Sequence, residues 1–571
     1  MQKLAQIIDS VDGKPVTKYT SLYGHYSRDG IGYNILNVYG GQVKYCSAEL
    51  VIPAVRLFGD YRVGRQDGIA ASAHILREFA VCSHLANDAM AQSEAKTEKG
   101  MFLVYRYGQR VLQNSAVRLD EENVTISLNI RLPLNSPQYE GGKALAQPTV
   151  TLASKTKVIS ARAVRLLLVK NLPALAEMFI EQFDMDAFLA SVLLYRDQNA
   201  IRAYLAKNGY VSFIANGSVL PRRGRTDFRE TKNTVPFQSP PSLKIGIPLP
   251  SGDTVYGMGI PRGITIITGD AYHGKSTLLD AVGSGIYNHI PGDGRELVIT
   301  DDTAMSIRAE DGRSVKNTDI SFFLQKLPVS VDPTAFTTDN ASGSTSQAAA
   351  VAEAVESGCR LMLFDEDRSA NNFMYKDEKM RTVIPNATTR PFVDNARMLY
   401  RTYGISSVIV VGASGDAFRI ADRVILVDHF KASEYTEYAR TDADDGFVYR
   451  PESRRYYADR LRKICMARDL SVQDNSTVKI GTEGINVPEL IPHATRGQLD
   501  FIVSFLYYFT VMEQSGTHNL RDAVGGLYRK IAREGLDGIR QNGRNSGTEP
   551  EFVRMQDMLA LLYRLRCISI K

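Results

Sequence analysis

Residues 263–277 read GITIITGDAYHGKST. Ile264, Ile266 and Ile267 form a short apolar, β-branched run, the pattern of a buried strand. The run stops at Gly269. Gly269, Asp270, Ala271, Tyr272, His273, Gly274, Lys275 and Ser276 then fit G-x-x-x-x-G-K-[ST]; Thr277 follows, and LLDAV opens a helix. Strand, glycine-bounded loop, Lys-Ser and helix together make a phosphate cradle. Backbone N–H groups of the loop and the first helical turn converge on the anion, and the helix dipole adds to the attraction. Lys275 is expected to reach the β- and γ-phosphates of a nucleoside triphosphate, and Ser276 to hold Mg²⁺. The bland alternative is a chance match in a tight strand-to-helix turn.

A second stretch fits the first. Residues 359–367 read CRLMLFDED: an apolar strand with Asp365 and Glu366 at its C-terminal end. A magnesium-binding acid belongs there in a phosphate-loop fold, and the adjacent Glu366 can polarise an attacking water. Alone, this would read as a strand ending in solvated acids. Between the two stretches lies NASGSTSQ (340–347), followed by a strong helix former at 348–355. Small hydroxyl residues and glycine at a helix start offer another anion site, although an ordinary capped helix has the same composition.

Placed just before the acidic strand, this segment resembles the LSGGQ signature with which ABC ATPases close on the γ-phosphate held by the other protomer. Ser342, Gly343, Ser344 and Gln347 correspond, with altered spacing. The chain resembles the stand-alone, non-transporter ATPases of the ABC class. The stretches that carry the likeness are GMGIPRGITIITGDAYHGKSTLLDAV, YNHIPGDGREL, IRAEDGRSV, NASGSTSQAAAVAEAVESG, LMLFDEDRSANNFM and GISSVIVVGASGDAFRIADRVI, covering most of 255–428. Within that family it is most similar to a kinetoplastid member associated with a mitochondrial RNA-editing accessory complex.

The resemblance implies that 269–277 bind the phosphates of ATP or ADP and that Ser276 and Asp365 serve Mg²⁺. It makes Glu366 the catalytic base alongside Lys275, and Ser369–Asn372 a loop that couples two protomers. One phosphate loop and one signature per chain imply a homodimer with two composite ATP sites. Three departures stand out. Asp270 puts a carboxylate where the family favours glycine. Gly412, Ala413 and Ser414 replace a switch histidine, with Ser414 or Asp416 as substitutes. The Q-loop glutamine is not plainly present: Gln325 stands at a plausible place for it, or is a surface residue. Tyr256 could stack adenine or simply line a strand face. His273 and Tyr272 are expected to turn away from phosphate and pack locally. The EDGR turn, with Glu310, Asp311 and Arg313, is either a nucleotide or partner contact or an ordinary charged turn.

A chain of 571 residues is too long for one core. The expected fold class is α/β: a central ABC-type ATPase domain, a mixed α+β N-terminal region and a mainly helical C-terminal region. The expected domains are 1–134, 135–235 (with a Pro/Gly-rich linker at 135–148), 236–430 and 431–571. Two amphipathic helices are expected between about 160 and 205, one ending before Pro173. Composition is that of a globular protein, with 44% hydrophobic and 23% charged residues and a net charge of +5. The five cysteines are scattered and never spaced C-x-x-C, which argues for a reducing compartment without disulfides or a zinc site. The histidines lack H-x-x-x-H spacing, which argues against a metalloenzyme. No run of about 18 apolar residues exists, so no membrane span is expected.

The mild basicity permits a nucleic-acid partner without requiring one. Arg454, Arg455, Arg460, Arg462 and Lys463 lie among Tyr456 and Tyr457; on a helix they would offer phosphate contacts and base stacking. The PRRGR loop, with Arg222, Arg223 and Arg225, is a second candidate. A solvated helix face and a surface loop would look the same. The expected activity is ATP hydrolysis that moves the flanking domains, coupled to RNA binding or remodelling and to other RNA-processing proteins. The alternative is a nucleotide-switched scaffold for protein partners. The kinetoplastid likeness places the protein in the mitochondrial matrix, with any presequence outside this chain; otherwise it is cytoplasmic.

Overall fold

The computed structural model describes the chain except residues 42, 93–99, 105–107, 135–157, 224–233, 326–330, 385–386, 413, 440–445, 475, 513–515 and 540–548. The linker expected at 135–148, Arg225 and Ala413 fall outside the described residues.

The centre is a six-stranded sheet in the order Met305–Ile307, Leu361–Asp365, Ser406–Val411, Ile264–Thr268, Arg423–Asp428, Lys431–Glu434. Every pairing is parallel except the last. Side chains alternate faces at period two, and both faces are buried, which explains the unbroken apolar runs. Ile264, Ile266, Met362, Phe364, Ile409 and Val411 pack on one side against Ala348–Val355 of the helix Gly343–Glu356. Ile267, Leu361, Leu363, Val408, Val410 and Val427 pack on the other side against Leu278, Leu279, Ala281 and Val282 of the helix Lys275–Ser284.

A four-stranded sheet backs that second side, in the order Val298–Thr300, Tyr210–Ala215, Thr254–Pro261, Lys244–Pro248. Its Tyr210–Ala215 strand belongs by sequence to the expected connecting segment 135–235, yet its partners lie beyond residue 236. The N-terminal region has a six-stranded antiparallel sheet and the 25-residue helix Gly68–Gln92. The C-terminal region packs the helices Arg496–Met512, Leu520–Glu534 and Met555–Arg564 around its own core, beside a three-stranded sheet. All five cysteines are buried and free. Among the described residues, no helix is long and apolar enough to cross a membrane.

One helix boundary differs from expectation. The helix does not end before Pro173. Ala161–Arg165 leads through a π-helical stretch, Leu166–Asn171, into Leu172–Gln182, with Pro173 at its start. Widening the turn to i→i+5 pairing makes room for a ring that lacks an N–H, so the chain carries on.

Candidate nucleotide site

The phosphate loop leaves the C-terminal edge of the parallel sheet, where open α/β sheets gather ligands. Gly269 has φ +143°, and a Cβ there would lie 2.1 Å from the Val427 carbonyl. Gly274 has φ +103° and caps the helix that Lys275 begins. Both positions need glycine, which is why the motif spaces them so. Tyr272 takes φ +63° without being glycine and points outward, 97% exposed. The expectation that Tyr272 packs locally therefore fails: its left-handed backbone at the loop tip aims the ring into solvent. Asp270 turns its carboxylate onto its own loop, accepting from the Ala271 N–H at 2.7 Å. Lys275 Nζ donates to the Asp270 carbonyl at 2.8 Å. Ser276 and Thr277 follow in the first helical turn, half-buried.

The acidic strand lies two strands away at the same edge. Asp365 pairs in register with Val410, which pairs in turn with Ile267. Asp365 is buried, with Arg368 Nε 3.9 Å from Oδ2; Arg368 also reaches Asp280 on the phosphate-loop helix at 3.5 Å. Gly412, just past the intervening strand, ties these parts together. Its N–H donates to Glu366 Oε2. A Cβ on Gly412 would stand 3.5 Å from Glu366 Oε2 and 3.8 Å from Lys275 Nζ. Glu366 and Lys275 thus flank a single backbone point. Where the sequence suggests a side chain, Ser414 or Asp416, the structure places the Gly412 main-chain amide against Glu366.

The serine-rich helix start is built as an N-cap. Ser342 Oγ lies 2.8 Å from Thr345 Oγ1, and the Ser342 carbonyl accepts from the Thr345 hydroxyl at 3.0 Å. Ser342 is exposed, with Gly343 and Ser344 half-exposed beside it. Among the described residues no hydrogen bond or ion pair joins 342–346 to 269–277. Gln347, matched by sequence to the signature glutamine, is fully buried. Its Nε2 donates to Ser369 Oγ at 2.9 Å, and its Oε1 accepts from the Ala370 N–H at 2.9 Å. Ser369 Oγ in turn donates to the Asp365 carbonyl at 2.8 Å. Gln347 thus fixes the loop after the acidic strand rather than facing a ligand.

The EDGR turn is a structural knot. The Glu310 N–H donates to Ser346 Oγ at 2.8 Å. Arg564, from the last helix of the chain, grips the Glu310 carboxylate with two hydrogen bonds of 2.7 and 2.9 Å. Arg313 pairs with buried Glu353 on the serine-rich helix. Burial pushes the Glu310 carboxyl up, but Arg564, Arg313 and Arg308 outweigh it and hold it at about 2. Gln325 is exposed, its N–H donating to the Thr388 carbonyl at 2.9 Å. Ser414 Oγ accepts from the Asp416 N–H at 3.2 Å, and Asp416 faces Arg419 at 3.5 Å. Tyr256 stands half out of its strand with the Lys244 ammonium 5.0 Å from its ring.

The basic stretches divide. Only Asp459–Met466 is helical; 454–457 is extended, because Tyr456 and Tyr457 pair with Ser569–Ile570. Tyr456 is a core residue, tilted on Phe509. Arg454 is turned inward and pairs with Glu356. Arg455, Arg460, Arg462 and Lys463 are exposed, with Arg462 Nε also donating to the Thr510 carbonyl at 2.8 Å. Arg222 is largely buried against Asp293 at 2.9 Å, and Arg223 is exposed.

A phosphate loop, a carboxylate pair two strands over and a separate serine-capped helix define a P-loop ATPase domain of ABC type. Two family models match the chain: "ATPase of the ABC class N-terminal" over residues 1–181 and an ABC ATPase "P-loop domain" over 184–460. Together they cover well over half of it, and the chain belongs to the ABC-class ATPases. An uncharacterized protein of Methanocaldococcus jannaschii is 32% identical over 300 residues, which is 50% of this chain and 63% of that relative's length. Similar solved structures include cbiO1 of Clostridium perfringens, part of the ABC transporter complex cbiONQ. It is 15% identical with a TM-score of 0.24, covering 39% of this chain and 87% of that one. The ADP conformation of an ATP-binding cassette of an ABC transporter is 10% identical with a TM-score of 0.25, covering 40% and 93%.

Proposed function

We propose that this protein binds and hydrolyses ATP, and that two copies complete each other's sites. The observation that carries the reading is the meeting of Glu366 and Lys275 at Gly412. The loop amides of 269–276 and the Lys275 ammonium bind the β- and γ-phosphates. Glu366, steered by the Gly412 amide, takes a proton from the attacking water. The Ser276 hydroxyl and the Asp365 carboxylate are hard oxygen donors at one sheet edge, a donor set suited to Mg²⁺. That ion, when bound, neutralises charge on the phosphates. Ser342 is exposed at the helix start, with Gly343 and Ser344 half-exposed beside it, which supports their serving a partner's nucleotide. Lys275→Ala tests the phosphate site by filter binding of ATP. We expect affinity to fall about 10- to 100-fold; retention of normal ATP binding would refute the assignment.

Closure of the two copies would move the regions that pack on the serine-rich helix. For the output we propose RNA binding or remodelling in the mitochondrial matrix, a reading supported by the sequence likeness and by exposed Arg455, Arg460, Arg462 and Lys463. The inward pairing of Arg222 and Arg454 favours a second reading, a nucleotide-switched scaffold for protein partners. Binding to single-stranded RNA across a salt series separates them: a steep negative slope supports RNA contact, and absent binding supports the scaffold.

A further inference from the structure

A second cluster of ligand-type side chains sits on the outer flank of the phosphate loop, away from Asp365 and Glu366. His273 comes from the loop itself. Asp428 ends the neighbouring strand, and His429 opens the turn after it. His273 Nδ1 lies 3.0 Å from Asp428 Oδ1, and His429 Nδ1 lies 2.8 Å from the same oxygen. All three ligand atoms fall within 4.8 Å of one another. The two imidazole rings lean together, with centroids 4.6 Å apart. The turn is held in place independently. The Phe430 N–H donates to the His273 carbonyl at 3.2 Å, and His429 and Phe430 both take positive φ, +47° and +65°.

We infer that His273, Asp428 and His429 form a binding site for a borderline divalent transition ion, with zinc as the best match. Two imidazole nitrogens and one carboxylate oxygen suit zinc and disfavour magnesium, which requires oxygen ligands. Ligands at about 2.0–2.2 Å around a tetrahedral ion stand roughly 3.3 Å apart. The two nitrogen–oxygen edges therefore need to open by only a few tenths of an ångström, and the nitrogen–nitrogen edge, within 4.8 Å, is in reach of the same geometry by rotation of the exposed His429 ring. The carboxylate oxygen now accepts from both imidazole Nδ1–H groups. Moving each ring proton to Nε2 frees two nitrogen lone pairs; both now face the Asp428 oxygen, so the carboxylate has to turn aside for an ion to sit between the three ligands. Solvent reaches the cluster, since His429 is 79% and Asp428 59% exposed while His273 is 24% exposed. That leaves the fourth position to water. An ion there would pin the phosphate loop to the adjacent turn, coupling metal occupancy to nucleotide affinity by linkage.

Neither histidine spacing nor any short motif could show this, because His273 lies more than 150 residues before Asp428 and His429 in the chain. The test is a titration of the chelator-stripped full chain with Zn²⁺ by calorimetry and with Co²⁺ by its visible absorption, both in excess Mg²⁺ and without nucleotide. The site predicts one ion per chain and a tetrahedral cobalt spectrum. It also predicts about tenfold or greater weakening in both His429→Ala and Asp428→Asn, each folded by circular dichroism. Zinc binding that is absent, or unchanged in both variants, would overturn it. Because His429 and Asp428 take no part in the proposed hydrolysis, failure here would leave the ATP-site assignment intact.

Discussion

Gly269 shows how tightly the loop depends on its backbone. A methyl group there would meet the Val427 carbonyl in a conformation that L-residues rarely adopt. Gly269→Ala should cost about 1–3 kcal/mol in local strain and weaken ATP binding, read as a lowered melting temperature and a raised Kd. Gln347→Ala should cost about 1–3 kcal/mol, since the Ala370 amide and the Ser369 hydroxyl lose their partner; chemical denaturation would measure it. The two residues differ in legibility. Gly269 belongs to a contiguous motif whose spacing reports a backbone shape. Gln347 also sits in a motif, but its side chain is spent across the fold, on a loop 22 residues later. The Gly412–Glu366 contact spans 46 residues and involves a main-chain amide, which no pattern of side chains encodes.

At the scale of elements, the serine-rich helix is tied to the C-terminal region through Glu310, whose N–H bonds Ser346 and whose carboxylate Arg564 holds. Arg564→Ala should destabilise by about 1–3 kcal/mol, because the half-buried Glu310 carboxylate loses both of its hydrogen bonds to Arg564 and keeps only the looser Arg308 at 3.8 Å, measured by urea unfolding. The acid dependence follows from the same pair. Glu310 titrates at about 2 when folded, against 4.5 as its ordinary value. Its contribution is therefore fully present above pH 4.5 and is lost as pH falls toward 2, on the order of 3 kcal/mol in all. The Arg564→Ala variant should lose most of that acid-side slope. The sequence displayed the strands of the central sheet because burial on both faces makes them continuous apolar runs. It hid the passage through Pro173, where a local widening of the helix overrides the usual rule for proline. It also hid the EDGR knot, since charged residues in a turn look the same whether solvated or locked by a distant arginine.

For the whole molecule, the C-terminal helices form a region with its own core. These helices nevertheless grip the ATPase body. Arg554 donates to the Asp302 and Ala304 carbonyls at 2.7 and 3.0 Å, and Lys316 donates to the Leu565 and Ile568 carbonyls at 3.1 and 2.6 Å. Nucleotide-driven pairing of two ATPase bodies would therefore carry these regions along. Sedimentation of Glu366→Gln should show twice the monomer mass with ATP and Mg²⁺ and the monomer mass without them. The most direct measurement is of ATP bound and ATP hydrolysed per chain by Glu366→Gln beside the unaltered protein. Loss of the base should leave ATP stably bound while turnover falls about a hundredfold or more. Hydrolysis at the unaltered rate would contradict the site described around Gly412, Glu366 and Lys275.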